Sequence, residues 1–420
     1  MTSETAGATS AGSAAADARA TRGVLAIAIG SGLASLSMNF WIPFVPLFMK
    51  ELGATSDANA LFWTGMATGS MGVARLVAGP FWGILSDRYG RRAMFLRALY
   101  CASITMAVAA MATEPWHLAA AFALQGLFSG FIPAATALTS VTVPDRRLNS
   151  SLSMVTGAQY LGNTIGPAVG AVMAAYIGYR GAIIGGAILP AIAGVYATFA
   201  VPKDRVGAST PRAAEASAAP RKSESILSLL TVQFMLVLAV WFFSLAFGQL
   251  LRTAMPIALE QIGGIERAAA YSGVAFTLSG LGGIVGLLLA RRFVRPGLLQ
   301  LTLIVASIAV GLCHLVLPLS ANIVIFMGAL TLIALLQAVM VPAINTLIAT
   351  NAPRERRGTA FGVASAVQAV AFMVGPMAAA GFAAYSLNLG FVVLGVLSIV
   401  LGIVVRIGVR EPDLEAAERA

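Results

Sequence analysis

The chain has 420 residues, of which 58% are hydrophobic and only 10% are charged, and its formal net charge is +10. A soluble domain of this size needs far more surface charge, so the composition indicates a protein whose solvent is mostly lipid. In a soluble protein the positive charge would suggest nucleic acid. In a lipid-embedded chain its distribution matters more than its sum, and we expect no nucleic-acid partner.

Twelve apolar segments have the length needed to cross about 30 Å of hydrocarbon. They lie roughly at 23–49, 60–84, 94–113, 116–140, 149–176, 181–201, 226–259, 268–290, 298–318, 321–348, 358–383 and 386–408. This spacing predicts an all-α membrane protein with an N-terminal half at 23–201 and a C-terminal half at 226–408. The polar segment 202–225 predicts a cytoplasmic linker, 1–22 a disordered cytoplasmic tail, and 409–420 a second tail.

Lysine and arginine mark the cytoplasmic side of a membrane protein. The predicted cytoplasmic segments hold 22 of the 27 such residues, and the opposite loops hold only Lys50, Arg180 and Arg267. Arg75 and Arg252 fall inside spans. The asymmetry predicts that both termini are cytoplasmic.

A dense charged loop separates the second and third spans. It reads Gly83-Ile84-Leu85-Ser86-Asp87-Arg88-Tyr89-Gly90-Arg91-Arg92. This segment resembles the cytoplasmic loop motif of the major facilitator superfamily, whose glycine, aspartate-arginine, and glycine-arginine-basic positions are all filled by Gly83, Asp87, Arg88, Gly90, Arg91 and Arg92. The resemblance implies two six-helix repeats that move by alternating access. It also implies an ionic latch in which Asp87, Arg88 and Arg91 contact a helix of the opposite half.

An internal repeat supports this division into halves. At an offset of 209, residues of spans 4 and 5 match residues of spans 10 and 11 without a gap. The matching set in the first half is Pro133, Ala134, Leu138, Pro144, Arg147, Gln159, Gly166 and Pro167. Such a repeat predicts two halves related by an axis along the membrane normal. The loop motif itself is degraded in the second half, where Ala290 stands at the aspartate position, so we expect a one-sided latch.

Span 5 carries glycines at i, i+4 and i+8, namely Gly162, Gly166 and Gly170, with Pro167 in the middle. One interpretation is a flat face for close helix packing, bent by the proline. The segment also resembles the antiporter motif of the twelve-helix drug–proton antiporter branch. This resemblance favours an exporter over an importer.

Proton coupling has no obvious carrier in the sequence. The branch typically has an arginine three residues before the Gln-Gly of span 4, but here Phe122 precedes Gln125. No acidic residue lies deep in a span, where a proton carrier is ordinarily found. The proton as coupling ion therefore rests on the resemblance, with Asp87 or His314 as fallback carriers. For His314 we favour a packing role.

Several polar residues inside spans are candidates for substrate contact. Spans 1 and 7 align on Pro46 and Pro256, at an offset of 210, and in this alignment Asn39 corresponds to Gln249. Arg252 follows Gln249 by three residues and therefore lies on the same face of its helix. The charge of each intramembrane arginine needs a partner. In a structural role the partner is a backbone carbonyl, an aromatic face or water, and in a functional role it is an anionic group of the substrate. The repeat-related Gln159 and Gln368 suggest either a cavity-facing site or mutual hydrogen bonding. The full candidate set is Asn39, Arg75, Gln125, Gln159, Gln249, Arg252 and Gln368.

These observations predict a secondary transporter in a bacterial inner membrane, working as a monomer, that exports small amphipathic compounds, with proton antiport. An alternative is an exporter of an anionic metabolite bound through Arg252 and Arg75. A non-transporting receptor or scaffold is the alternative from another class. Enzyme activity is not expected, since there is no nucleotide-binding loop, nucleophile–base pair or metal constellation, and no cofactor is expected beyond a coupling proton.

Overall fold

The computed structural model describes residues 3–128, 130–143, 145–201, 231–295, 297–320, 322–353 and 356–411. Its elements are helices: α1 (Ser3–Phe40), α2 (Val45–Glu51), α3 (Asp57–Tyr89), α4 (Arg91–Ala110), α5 (Pro115–Phe128), α6 (Phe131–Thr142), α7 (Asp145–Ala200), α8 (Val232–Gly263), α9 (Ile265–Phe293), α10 (Leu299–Val316), α11 (Ile323–Thr350), α12 (Arg357–Ala383) and α13 (Leu387–Gly408). The predicted linker at 202–225 and residues 412–420 of the predicted C-terminal tail lie outside the described residues.

Ten helices in the described ranges are long and apolar enough to cross a membrane. One of them, Ser150–Ala200 within α7, has 51 residues and would extend about 76 Å, enough for two crossings. The backbone of α7 breaks at Gly178, whose φ of 73° is non-helical. Helix α3 has 33 residues and is not among the ten; its charged residues are Asp57, Arg75, Asp87 and Arg88. The all-helical architecture is confirmed, whereas the count of twelve spans stays a prediction.

Helix α1 begins at Ser3. From residue 3 onward, the segment predicted as a disordered tail is described as a backward continuation of the helix of the first span, and its disorder stays a prediction. The segment is rich in alanine, the residue with the highest helix propensity, and contains no proline that would end the helix.

The described chain forms two compact units. Unit 1 comprises Met1–Trp41, Ala74–Met111 and Ala121–Pro220, and unit 2 comprises Ile42–Val73, Ala112–Ala120 and Arg221–Ala420. The units do not coincide with the sequence halves, because the chain from Ile42 to Val73 packs on C-terminal helices.

Each unit has its own apolar core. In unit 1, Ile27 of α1, Phe95 and Leu99 of α4 and Ala193 of α7 are fully buried together. In unit 2, the corresponding core joins α8, α10, α11, α12 and α13. Lipid tails are as apolar as these side chains, so close van der Waals packing holds such helices together.

Candidate transport and gating sites

In unit 1, the glycine face of α7 packs directly on the backbone of α1. This face consists of Gly162, Gly166 and Gly170, all buried. A Cβ atom built at Gly166 would lie only 2.5 Å from the carbonyl oxygen of Leu36, and one built at Gly170 would overlap the carbonyl oxygen of Phe40. Since backbone atoms cannot rotate away, the two helices approach this closely only with glycine. The geometry supports the packing interpretation of the motif.

The same helix contact recurs in unit 2, between α12 and α8. A Cβ atom built at Gly375 would lie 2.6 Å from the carbonyl oxygen of Ala246 and 2.7 Å from Cβ of Gln249. Gly375 follows Gly166 by 209 residues, and Ala246 follows Leu36 by 210. The internal repeat read from the sequence is therefore a repeat of helix packing as well.

Asn39 makes a polar contact within unit 1. Its Nδ2 donates to Oδ1 of Asn163 at 2.7 Å and to the carbonyl oxygen of Ser35 at 2.9 Å. Ser31 and Ser35, on the same stripe of α1, are buried. Asn39 thus ties α1 to α7, a role that the sequence-based hypothesis of a substrate contact did not include.

Two glutamines of unit 1 are buried with unsatisfied or weak hydrogen bonds. Gln159 is 7% exposed, and its Nε2 has no partner among the described residues. Nε2 of Gln125 donates only to Sδ of Met38, at 3.0 Å, and a thioether is a weak acceptor. A buried amide donor without a partner costs about 1–3 kcal/mol, so Nε2 of Gln159 is suited to donate a hydrogen bond to a ligand group or to water.

Phe122, at the position where the family's antiporter branch has arginine, packs edge-on against Trp41. Their ring centroids are 4.2 Å apart at an interplanar angle of 81°, and both rings are buried. This position contributes apolar packing.

The two intramembrane arginines differ in their surroundings. Arg252 of α8, in unit 2, is half-buried, and its Cζ lies 5.5 Å from the ring centre of Phe276, within cation–π range. Arg75 of α3, in unit 1, is exposed. A guanidinium facing lipid at mid-span costs roughly 2.5–3.5 kcal/mol or more, so its exposure favours a position against water.

The remaining two candidates lie in unit 2. Gln249 of α8 is half-buried, with its Cβ against Gly375, and Gln368 of α12 is half-buried. Their side chains are only partly covered by unit 2, so both stay candidates for substrate contact.

A glycine sets the backbone conformation of the charged loop between α3 and α4. Gly90 has a φ of 92°, a left-handed conformation that favours glycine, and it separates α3 from α4. Arg88 is exposed, with its Cζ 5.6 Å from the ring centre of Tyr89. The side chain of Asp87 lies outside the described part of the structure, and so does the environment of Gly83. The predicted latch through Asp87 therefore stays a prediction.

The next two arginines bind groups of unit 1. Nη1 of Arg91 lies 3.2 Å from Oγ of Ser140, on α6. Nε of Arg92 donates to the carbonyl oxygen of Val201 at 3.0 Å, and its Nη2 donates to that of Thr198 at 2.5 Å. Both carbonyls lie at the C-terminal end of α7, the negative end of its dipole. These two arginines, at the start of α4, therefore stabilise the C-terminal ends of α6 and α7, which the resemblance did not imply.

Sequence reasoning assigned no role to Arg97, yet it holds together three helices of unit 1. Its guanidinium lies 3.5 Å from the ring centre of Trp82, and its Nη1 donates to the carbonyl oxygen of Phe128 at 2.8 Å. Nε1 of Trp82 donates to the carbonyl oxygen of Leu127 at 2.7 Å. The signal available in the sequence was the position of Arg97 just inside the predicted span 94–113, with Trp82 near the end of the preceding span.

A second overlooked group, in unit 2, is here named the outer cluster: Lys50, Asp57, Glu260 and Gln261. Nζ of Lys50 lies 2.6 Å from Oδ1 of Asp57 and 2.7 Å from Oε2 of Glu260. Nε2 of Gln261 donates to Oδ2 of Asp57 at 3.0 Å. Burial alone would lower the pKa of Lys50, but its hydrogen bonds to the two carboxylates outweigh burial and raise the pKa above its usual value.

The sequence profile of the Major Facilitator Superfamily matches residues 27–313 and 288–420. The Multidrug resistance protein MdtG of Proteus mirabilis is 28% identical over 365 residues, covering 86% of this chain and 88% of the relative. The protein of the same name from Klebsiella pneumoniae is 25% identical over 402 residues, covering 93% and 94%.

Among solved structures, a D-xylose-proton symporter superposes with a TM-score of 0.74 at 14% identity, covering 92% of this chain and 97% of the other. At that identity the similarity establishes the fold alone. The profile match, by contrast, covers nearly the whole chain. The chain belongs to the Major Facilitator Superfamily and is a secondary transporter of the bacterial inner membrane, not an enzyme.

Proposed function

We propose that the protein exports small amphipathic compounds by alternating access, with protons as the counter-ion. The observation that carries the proposal is similarity to proteins named for multidrug resistance over 86% and 93% of the chain. The antiporter-type glycine face supports it, because this face packs closely on α1 in unit 1 and its counterpart packs closely on α8 in unit 2.

The residues of unit 1 suit an amphipathic ligand. Trp41 and Phe122, now packed against each other, would supply aromatic surface, and Gln125 and Gln159 would supply amide donors whose present partners are weak or absent among the described residues. Sites for small molecules are commonly mostly apolar with a few placed polar groups. This composition would accept compounds of varied shape that carry one or two hydrogen-bond acceptors.

Proton coupling is the less supported part of the proposal. Among the acidic side chains that the structure describes, those of Asp57, Glu114 and Glu260 are close to helix ends, and none lies at the middle of a predicted span. Asp87 is thus one candidate carrier. The direct test is transport in proteoliposomes with an imposed pH gradient. Substrate uptake should collapse when a protonophore dissipates the gradient, and uptake that persists would exclude proton coupling.

Substrate class is tested by thermal stabilisation of the purified protein with two panels, lipophilic cations and organic anions. A ligand at 100 times its dissociation constant adds about 2.7 kcal/mol to the free energy of unfolding. Stabilisation by cations, followed by their transport in proteoliposomes, is the expected result. Absence of stabilisation and transport with both panels would contradict the proposal and favour a receptor or scaffold.

A second candidate, export of an anionic metabolite, is favoured by the placement of Arg75 and Arg252. An exposed guanidinium at mid-span and one half-buried on an aromatic ring are both able to pair with a carboxylate. Stabilisation by anions that is lost in Arg252→Ala and kept in Arg267→Ala, an exposed control arginine of unit 2, would establish this candidate. Equal stabilisation of both variants would reject it.

A further inference from the structure

The two principal members of the outer cluster occupy equivalent positions of the internal repeat. Lys50 and Glu260 are 210 residues apart, the offset that also aligns Pro46 with Pro256. Equivalent residues of two repeats come into contact only close to the symmetry axis that relates the repeats. Two identical charges would repel there, whereas a lysine and a glutamate attract.

The cluster is only partly open to water. Side-chain exposures are 25% for Lys50, 14% for Glu260 and 32% for Asp57. Both carboxylates contact the ammonium group of Lys50, so the two attractions add. Partial burial also reduces the screening of these attractions by salt. This arrangement is stronger than an isolated pair on the protein surface, which contributes little.

A close helix contact accompanies the cluster within unit 2. A Cβ atom built at Gly65 of α3 would lie 3.1 Å from Sδ of Met377 and 3.3 Å from its backbone nitrogen, on α12. One built at Gly69 would lie 3.2 Å from Cγ of Met373. Methionine side chains adapt readily to a changed neighbour, so this contact is able to separate and re-form.

We propose that the outer cluster is an ionic gate that holds the outer ends of the two repeats together and opens whenever the transport cavity opens outward. The inference rests on the alternating-access cycle proposed above. Chain topology from the distribution of positive charge places Lys50 on the outer side. In each cycle the gate breaks, the methionine contact of α3 with α12 separates, and the gate re-forms when the cavity faces inward.

The test measures access to the α3–α12 contact without requiring any substrate. Met377→Cys is placed in a background in which Cys101 and Cys313 are alanine, and a membrane-impermeant maleimide is added outside intact cells. Lys50→Gln and Glu260→Gln should each label about tenfold faster than the parent, a shift of about 1.4 kcal/mol toward the outward-open state. Glu51→Gln, an exposed carboxylate next to Lys50, should label at the parental rate.

Exchanging the charges of Lys50 and Glu260 distinguishes loss of the ion pair from local structural damage caused by the substitutions. The double variant Lys50→Glu/Glu260→Lys should return to within about threefold of the parental rate. Unchanged labelling in both single glutamine variants would overturn the proposal, and so would a double variant that labels as fast as the singles. Since labelling reports conformation alone, a failure of drug transport with a normal labelling pattern would refute the proposed function and leave the gate intact.

Discussion

Replacing Gly166 with alanine should separate α1 from α7 in unit 1. The added Cβ would lie 2.5 Å from the carbonyl oxygen of Leu36 and 3.3 Å from Cβ of Asn39. Overpacking a close contact costs about 1–3 kcal/mol, and a clash with backbone belongs at the upper end of that range. Alanine regains about 1 kcal/mol of helix propensity over glycine. The net destabilisation should therefore be about 1–2 kcal/mol.

The chain offers a matched control on the same helix. A Cβ atom built at Gly157 of α7 meets nothing within 4 Å. Gly157→Ala should therefore raise the free energy of unfolding by about 0.5–1 kcal/mol through helix propensity alone. Apparent melting temperatures in one detergent should fall for Gly166→Ala and rise for Gly157→Ala. If both variants shift in the same direction, the steric argument for the glycine face is wrong.

Three further predictions concern side chains. Gln159→Leu should leave the melting temperature unchanged or raised, because an unsatisfied buried amide is removed, while ligand affinity falls about tenfold; a lower melting temperature would contradict this. Arg97→Lys should lower stability by about 1–2 kcal/mol, since lysine lacks the planar group that stacks on Trp82, whereas exposed Arg88→Lys should change it little in the same melting assay. The pKa of Lys50 is raised above 10.5, so its ion pairs contribute fully below about pH 10.5 and are lost as the pH rises through the raised pKa. The melting-temperature gap between the parent and Lys50→Gln should thus persist from about pH 7 to 9 and close only in stronger alkali.

The repeat and its glycine contacts were predictable from sequence for one physical reason. Backbone-to-backbone helix contact requires glycine at fixed spacing, so the geometry leaves a pattern that survives duplication. Gly166 and Gly375, 209 residues apart, make equivalent contacts in the two units. Such a signal needs no knowledge of neighbouring helices, because the glycine itself encodes the close approach.

Side-chain partners were less predictable, since long polar side chains reach groups that sequence does not place. Arg91 and Arg92 bind α6 and the end of α7, and Arg75 is exposed, where its residue type had left carbonyls, an aromatic face, water and a substrate anion open. Phe122 was noted only as a missing arginine, although it packs against Trp41. In each case the residue type left several partners open, and the tertiary packing selected one.

The charged groups at the two ends of the described helices play unequal parts. At the predicted inner end, Arg91 and Arg92 hold carbonyl and hydroxyl groups of their own unit, so their substitution should chiefly change the stability of unit 1. At the predicted outer end, Lys50 and Glu260 join equivalent positions of the two repeats. A contact that changes during the cycle alters the balance between states, whereas a contact kept in all states alters only stability. Charge substitutions in the outer cluster should therefore shift conformational populations in addition to lowering the melting temperature, whereas substitution of Arg92 should lower the melting temperature alone.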